Sequence, residues 1–213
     1  MAHIPHVVID GPWEDPILVP DQGTERHLLS VLRLGDGAAV EYTDGVGTRG
    51  SGVLVPGGIE RGEEERVDPL PRLVIAVAPL RAKDRMRFLV EKLTELGVSE
   101  VWWLATRFGQ VPAPSGDRVR SWAVSALEQS RGTWLPAFRA ATWDEVEAAS
   151  LPVFVCDPTG TDEPLLVPGI VVIGPEGGLA EGEIPSVASL RTLGPGILRT
   201  ETAAVAAAVL ARR

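Results

Sequence analysis

The sequence is short of the residues that build metal centres and disulfide frameworks: one cysteine, Cys156, and three histidines, His3, His6 and His27, in 213 residues. A single cysteine excludes an internal disulfide, and no metal-ligand cluster can be drawn from this set, so no metal is expected. In PVFVCDP, Cys156 reads as a buried strand position rather than a nucleophile. Long apolar runs are also missing, since nothing approaches the roughly 20 residues needed to span a bilayer. The N-terminal MAHIPHVVIDGPWEDP carries neither a basic region nor a cleavable apolar segment, and a cytoplasmic globular protein is expected.

Positive charge is scarce too. The net charge of −9 argues against a nucleic-acid partner, because phosphate neutralisation supplies most of such affinity. The charge is uneven, however. From Arg81 to Arg139 there are ten Lys or Arg against six Asp or Glu, a local +4, which leaves −13 for the remainder. One middle segment can therefore face an anion. Lysine is almost absent, with only Lys83 and Lys92 among twenty basic residues, a bias we read as compositional.

What is present is enough apolar residue, 45%, for a sizeable core. The first part reads as short strands and turns. Thr24 is a candidate cap for a short helix carrying Leu28, Leu29 and Leu32, with Gly35 ending it. AAVEY and TRGSGVLV flank Thr43-Asp44-Gly45, a hairpin signal. The acidic run PGGIERGEEERVDPLP then breaks the pattern, with a linker near Val67 to Pro71. From Leu73 strand and helix alternate: LVIAVAPL; a helix capped by Asp84, with Met86, Leu89, Val90 and Leu93 on one face and Gly97 at its end; VWWLAT; a helix from Asp117 to Ser130; VFVCD; IVVIG; a helix after Ala180; and an Ala-rich helix from Thr200. Such alternation implies an α/β domain with a parallel sheet, whose ligands bind at the carboxyl ends of the strands.

Two glycine-containing loops fall at those ends. VVIGPEGGLAEGEI, Val171 to Ile184, stops an apolar run in Gly174-Pro175-Glu176-Gly177-Gly178. It has neither the Gly-Lys-Ser/Thr of a phosphate loop nor a dinucleotide fingerprint, so phosphate cradling is not expected. On spacing alone, a tight turn without a ligand explains it as well as a binding loop does. TLGPGILRTETAAVAAAVL, from Thr192, supplies the second loop, with Thr200 as a candidate helix cap and Arg199 and Glu201 beside it. By themselves Arg199 and Glu201 are most simply a helix-end salt bridge.

IGPEGGLAEGEI and LGPGILRTETA, preceded by ERHLLSVLRLGDG, DRMRFLVEKLTELGV and ALEQSRGTWLP, resemble the bacterial small-subunit ribosomal RNA uridine-N3 methyltransferases of the SPOUT class over nearly the whole chain. The resemblance implies a small β-rich PUA-like RNA-binding domain over residues 1–68. After it would come a SPOUT-type parallel sheet with a C-terminal trefoil knot over residues 72–213, and an obligate homodimer. It also implies an S-adenosyl-L-methionine-dependent enzyme acting on N3 of a uridine in 16S ribosomal RNA, uridine 1498. The cofactor residues it implies are Asp157, Gly174, Pro175, Glu176, Gly177, Gly178, Leu193, Gly194, Ile197, Leu198 and Thr200. Gly196 stands where the family usually has Arg, Phe108 where it has Ser, and Arg131-Gly132 where it has Gly-Arg.

Within that reading, Arg199 would stabilise a developing uridinate oxygen, and Glu201 would orient Arg199 or relay the proton. Arg81, Lys83, Arg85, Arg107 and Arg131 are the expected RNA-facing residues. The Ala-rich helix, through Ala207 among others, is expected at the dimer contact, although burial within its own subunit fits the periodicity equally. A protein of the same fold that binds RNA without turnover is the alternative, motivated by the departures and the net charge.

Overall fold

The computed structural model describes residues 4–109, 111–180 and 182–213. His3, Gln110 and Glu181 lie outside the described residues, and with Glu181 goes the first position of the helix expected after Ala180. The chain divides into two compact units. The first comprises residues up to Pro69 together with Val124–Leu135, and the second Leu70–Ala123 together with Pro136–Arg213.

The first unit contains β1 (His6–Val8), β2 (Ile17–Leu18), α1 (Gln22–Arg26) continued by a π-helical turn over His27–Val31, β3 (Ala39–Thr43), β4 (Thr48–Val55) and β5 (Gly58–Arg66). These form one sheet in the order β1-β3-β4-β5-β2, in which β1 and β3 are parallel and the other pairs antiparallel. Between β3 and β4, Asp44 Oδ1 accepts from the amides of Val46 and Thr48 at 2.8 Å, fixing the expected turn. The cap of α1 is Asp21 rather than Thr24: its carboxylate accepts from the amides of Gly23 and Thr24. The acidic run is not a break. It is β5, which pairs with β4 on one side and β2 on the other, so the backbone ladders decide its conformation while most of its side chains stay exposed. Arg49 and Glu65, one from β4 and one from β5, pair at 2.6 Å. The core packs Val7, Leu18, Leu28, Val40, Leu54 and Ile59 around Tyr42, which meets Trp13 edge to face at 5.2 Å. Gly50 is required there, because a Cβ would lie 2.6 Å from the Tyr42 ring.

The second unit contains β6 (Leu73–Val77), α2 (Lys83–Glu95), β7 (Glu100–Leu104), α3 (Gly116–Ser130), β8 (Ala137–Ala141), α4 (Trp143–Ala148), β9 (Val153–Thr161), β10 (Gly169–Ile173), β11 (Ser189–Arg191) and α5 (Thr200–Ala211). Helix α3 contributes its residues from Val124 onward to the first unit. The six strands form a wholly parallel sheet in the order β11-β9-β10-β6-β7-β8. Every residue of β6 and β10 is buried, which is why both read as unbroken apolar runs.

Several local expectations need correction. Asp84 sits in the first turn of α2, and the capping position is Ala82, which offers no side-chain bond. The expected face of Met86, Leu89, Val90 and Leu93 is buried, and Gly97 follows with φ 66°. Strands β8 and β11 and helix α4 had no clear sequence signal. Helix α4 is set by a capping box between Thr142 and Glu145. Among the described residues no helix begins directly after Ala180: residues 182–188 form turns, with Gly182 at φ 81° and Pro185 interrupting any helical ladder. Helix α5 is capped at Arg199, not Thr200. It packs on α2, β6 and β10, and Ala204, Ala207 and Ala208 are fully buried there. Ala207 therefore faces its own subunit, not a partner.

Candidate active site

Strands β11, β9 and β10 are neighbours, so the segments leaving their carboxyl ends converge. They enclose a cleft of about 360 Å³. Asp157 and Pro158 of β9, Gly174, Pro175, Glu176, Gly177 and Gly178 after β10, and Leu193, Ile197, Leu198 and Thr200 leading into α5 all line it. Gly194 does not, and Gly196 lines the cleft instead. Cys156, Ile173, Leu179, Thr192 and Ala203 complete the wall. Each of these is a flanking residue of a segment the sequence already marked, and strand alternation was the only further signal for them.

Local bonds explain the shape. The Gly178 amide donates to the Pro175 carbonyl at 2.9 Å and Gly178 takes φ 76°, so the loop doubles back at once. On the other wall, a Cβ on Gly196 would meet nothing within 4 Å, leaving bare backbone towards open space. Asp157 uses Oδ1 to accept from the Thr159 amide and hydroxyl at 2.8 and 2.6 Å. Burial pushes the Cys156 thiol up to about 12, which keeps it neutral and excludes it as a nucleophile near pH 7.

The expected Arg199–Glu201 pair is not what forms. Glu201 is only 7% exposed, and Arg85 engages both its oxygens, Nε at 2.8 Å and Nη2 at 2.5 Å. Nη2 also donates to Glu176 Oε1 at 2.6 Å. The guanidinium holds the Glu201 carboxyl below the ordinary carboxylate range. Arg199 is exposed at the start of α5; its carbonyl accepts from the Ala203 amide at 2.8 Å, and its side chain makes no hydrogen bond among the described residues. The Thr200 hydroxyl, expected to cap its own helix, donates instead to the Gly174 carbonyl at 3.1 Å.

Of the residues expected to face RNA, Arg81 and Lys83 are exposed at the start of α2, and Arg85 is committed to the two carboxylates. Arg107 is exposed after β7, and its amide donates to Glu183 at 2.6 Å. Phe108 beside it is 55% exposed, and a Cβ on Gly177 would lie 3.2 Å from its Cβ, so the two loops touch. Arg131 belongs to the first unit, where it pairs with Glu41 at 2.9 Å and donates to the Ile4 carbonyl at 2.7 Å. Its φ of 56° is the left-handed helix-ending position that glycine usually fills, which is where the family order would put one.

A sequence model described as an RNA methyltransferase domain matches residues 67–212. The chain belongs to that family. This RNA methyltransferase domain protein is 28% identical over 156 residues to the ribosomal RNA small subunit methyltransferase E of Mesomycoplasma hyopneumoniae, covering 65% of this chain and 68% of that one. Among solved structures, a probable rRNA-methyltransferase from Porphyromonas gingivalis superposes with a TM-score of 0.83 at 26% identity, over 97% of this chain and 96% of that one. The ribosomal RNA small subunit methyltransferase E of Neisseria gonorrhoeae, bound to S-adenosyl methionine, shares the fold with a TM-score of 0.80 at 23% identity, over 97% and 96% of the two chains.

Proposed function

We propose that this family member is an S-adenosylmethionine-dependent methyltransferase acting on N3 of a uridine in small-subunit ribosomal RNA, at the position numbered 1498, in the cytoplasm. The observation that carries the proposal is the cleft itself: two glycine-containing loops and Asp157 of β9, just past the last pairing of β9 with β10, converging at the carboxyl edge of a parallel sheet. Its volume of about 360 Å³ lies within the range of small-molecule sites. Bare backbone at Gly174, Gly177 and Gly196 suits close contact with a planar base and ribose, and the Asp157 and Glu176 carboxylates suit hydroxyl and ammonium donors. A cationic ligand beside Glu176 would share that carboxylate with Arg85, which already bonds Oε1.

The cofactor would supply an electrophilic methyl carbon. The chain's task is to hold a uracil so that N3, after losing its proton to water, would attack that carbon in line, the carbon–sulfur electron pair leaving with a neutral thioether. Arg199, exposed and without an ion-pair partner among the described residues, would donate to a uracil carbonyl oxygen as negative charge develops. Glu201, held as a carboxylate by Arg85, is a poor acceptor for the N3 proton and acts through the field it sets around Arg199. Near the cleft, Arg81, Lys83 and Arg107 offer charge to the phosphate backbone, and the Phe108 ring offers a stacking face for a base.

Three features of the resemblance remain parts of this proposal: a PUA-like first unit, a trefoil knot, and a homodimer. In support of the knot, the chain leaves edge strand β11 and returns to place α5 against β6 and β10, past the loop after β10. In support of the dimer, α5 leaves a side carrying Thr202, Val205, Val209 and Leu210 incompletely covered. Titration calorimetry with S-adenosylhomocysteine tests the cofactor assignment. Saturable 1:1 binding per chain is expected, and no heat at millimolar ligand would refute it.

A further inference from the structure

The basic residues near the cleft do not share one task. Arg81 and Lys83 are exposed, and Arg107 is exposed with its guanidinium 6.0 Å from the Phe108 ring centre, whereas Arg85 gives three hydrogen bonds to protein carboxylates. Those carboxylates belong to different segments, and only Glu176 lines the cleft. Glu176 lies in the loop after β10, and Glu201 in the first turn of α5. Arg85 stands on a third element, α2, at its third residue. A second, direct tie joins the same segments, the Thr200 hydroxyl to the Gly174 carbonyl.

The fork from Nε and Nη2 to the two oxygens of Glu201 is planar and directional, a geometry a lysine ammonium does not reproduce. Glu201 needs that partner, being 7% exposed, whereas Glu176, with a side chain 55% exposed, could be solvated by water alone. The fork therefore serves to position Glu201, and the Glu176 bond carries the same registration across to the cofactor loop.

We infer that Arg85 is a positioning residue of the active site: it holds the Gly174–Gly178 loop and the start of α5 in register, and so sets both the cofactor cleft and Arg199. The inference rests on the methyltransferase reading above. Neither Arg85 nor Glu201 lines the cleft, so the effect of Arg85 on the ligand passes through Glu176 and, by way of Glu201, through its helix neighbours Thr200 and Ala203, which do.

The test uses Arg85→Lys and the double variant Arg85→Gln with Glu201→Gln, in the full-length protein. The double variant removes the buried charge with its partner, so folding is kept, which circular dichroism and thermal melting verify. For the double variant, S-adenosylhomocysteine affinity should fall by roughly tenfold, inside the usual range for coupling between sites. Its methylation rate at saturating cofactor should fall further, on the order of a hundredfold, as expected when a catalytic group is misplaced by about an ångström. Arg85→Lys, which keeps the charge without the fork, should recover cofactor affinity better than rate. A well-folded double variant with wild-type affinity and rate would overturn the inference. Failure of the wild-type protein to bind the ligand would instead overturn the methyltransferase reading and leave the contacts of Arg85 as structural ties.

Discussion

Tyr42 shows how a single residue links core packing to pH. It is fully buried in the first unit, and its hydroxyl donates to Glu64 at 2.9 Å, while Arg61 engages the same carboxylate from outside. Burial, reinforced by that carboxylate, pushes the phenol up to about 12. A phenol raised above its unfolded value of about 10 stabilises the fold fully below that value. The contribution is lost as the pH climbs through about 12. Tyr42→Phe should therefore cost about 1.5–3 kcal/mol at neutral pH, the worth of a hydrogen bond to a charged group. The variant should also lose less further stability above pH 10 than the wild type does. Urea melts across the alkaline range measure both, and parallel alkaline limbs for the two proteins would contradict the assignment. At this scale the sequence was a partial guide. It placed Glu176, Arg199 and Glu201 near one rim, but the partner of Glu201 stands 116 residues earlier, on α2, a separation no local pattern reports.

The elements were legible where one face or one whole strand is apolar. Strands β6, β7 and β10 and helix α2 declare themselves by buried runs or helical spacing. Strand β5 does not, because its conformation comes from two flanking ladders while most of its side chains remain exposed. The segment after Ala180 misleads in the other direction, since its composition suits a helix but Gly182 at φ 81° and Pro185 hold it in turns. Helix α5 is the instructive case. Alanines on every face leave periodicity silent, and the structure assigns Ala204, Ala207 and Ala208 to the subunit's own core. Ala207→Arg should consequently fail to fold, at a cost of about 3 kcal/mol or more, instead of giving a folded monomer. Val205→Arg, on the incompletely covered side, should fold and dissociate the proposed dimer. Light scattering and thermal melting on the two variants separate these outcomes, and a folded Ala207→Arg monomer would contradict the packing of α5.

Across the whole molecule, charge is divided in a way the total conceals. The first unit carries six Lys or Arg against fourteen Asp or Glu, and the second fourteen against fifteen, so −8 of the net −9 belongs to the first. A PUA-like RNA-binding role for the first unit would thus have to work against its own field, and the near-neutral second unit is the better source of phosphate contacts. The local excess of positive charge between Arg81 and Arg139 was visible in the sequence. That Arg131, inside that span, belongs with the first unit and is paired to Glu41 was not.

The central claim is that the cleft holds a methyl donor against one uridine of small-subunit RNA. Its most direct measurement supplies the purified protein and S-adenosylmethionine to small ribosomal subunits from a strain lacking this methylation, followed by nuclease digestion and mass spectrometry of the RNA fragments. The account predicts one added methyl group, on N3 of uridine 1498, absent when the cofactor is withheld and strongly reduced with Arg199→Ala. An unmodified RNA, or a methyl group on a ribose or on another base, would contradict it.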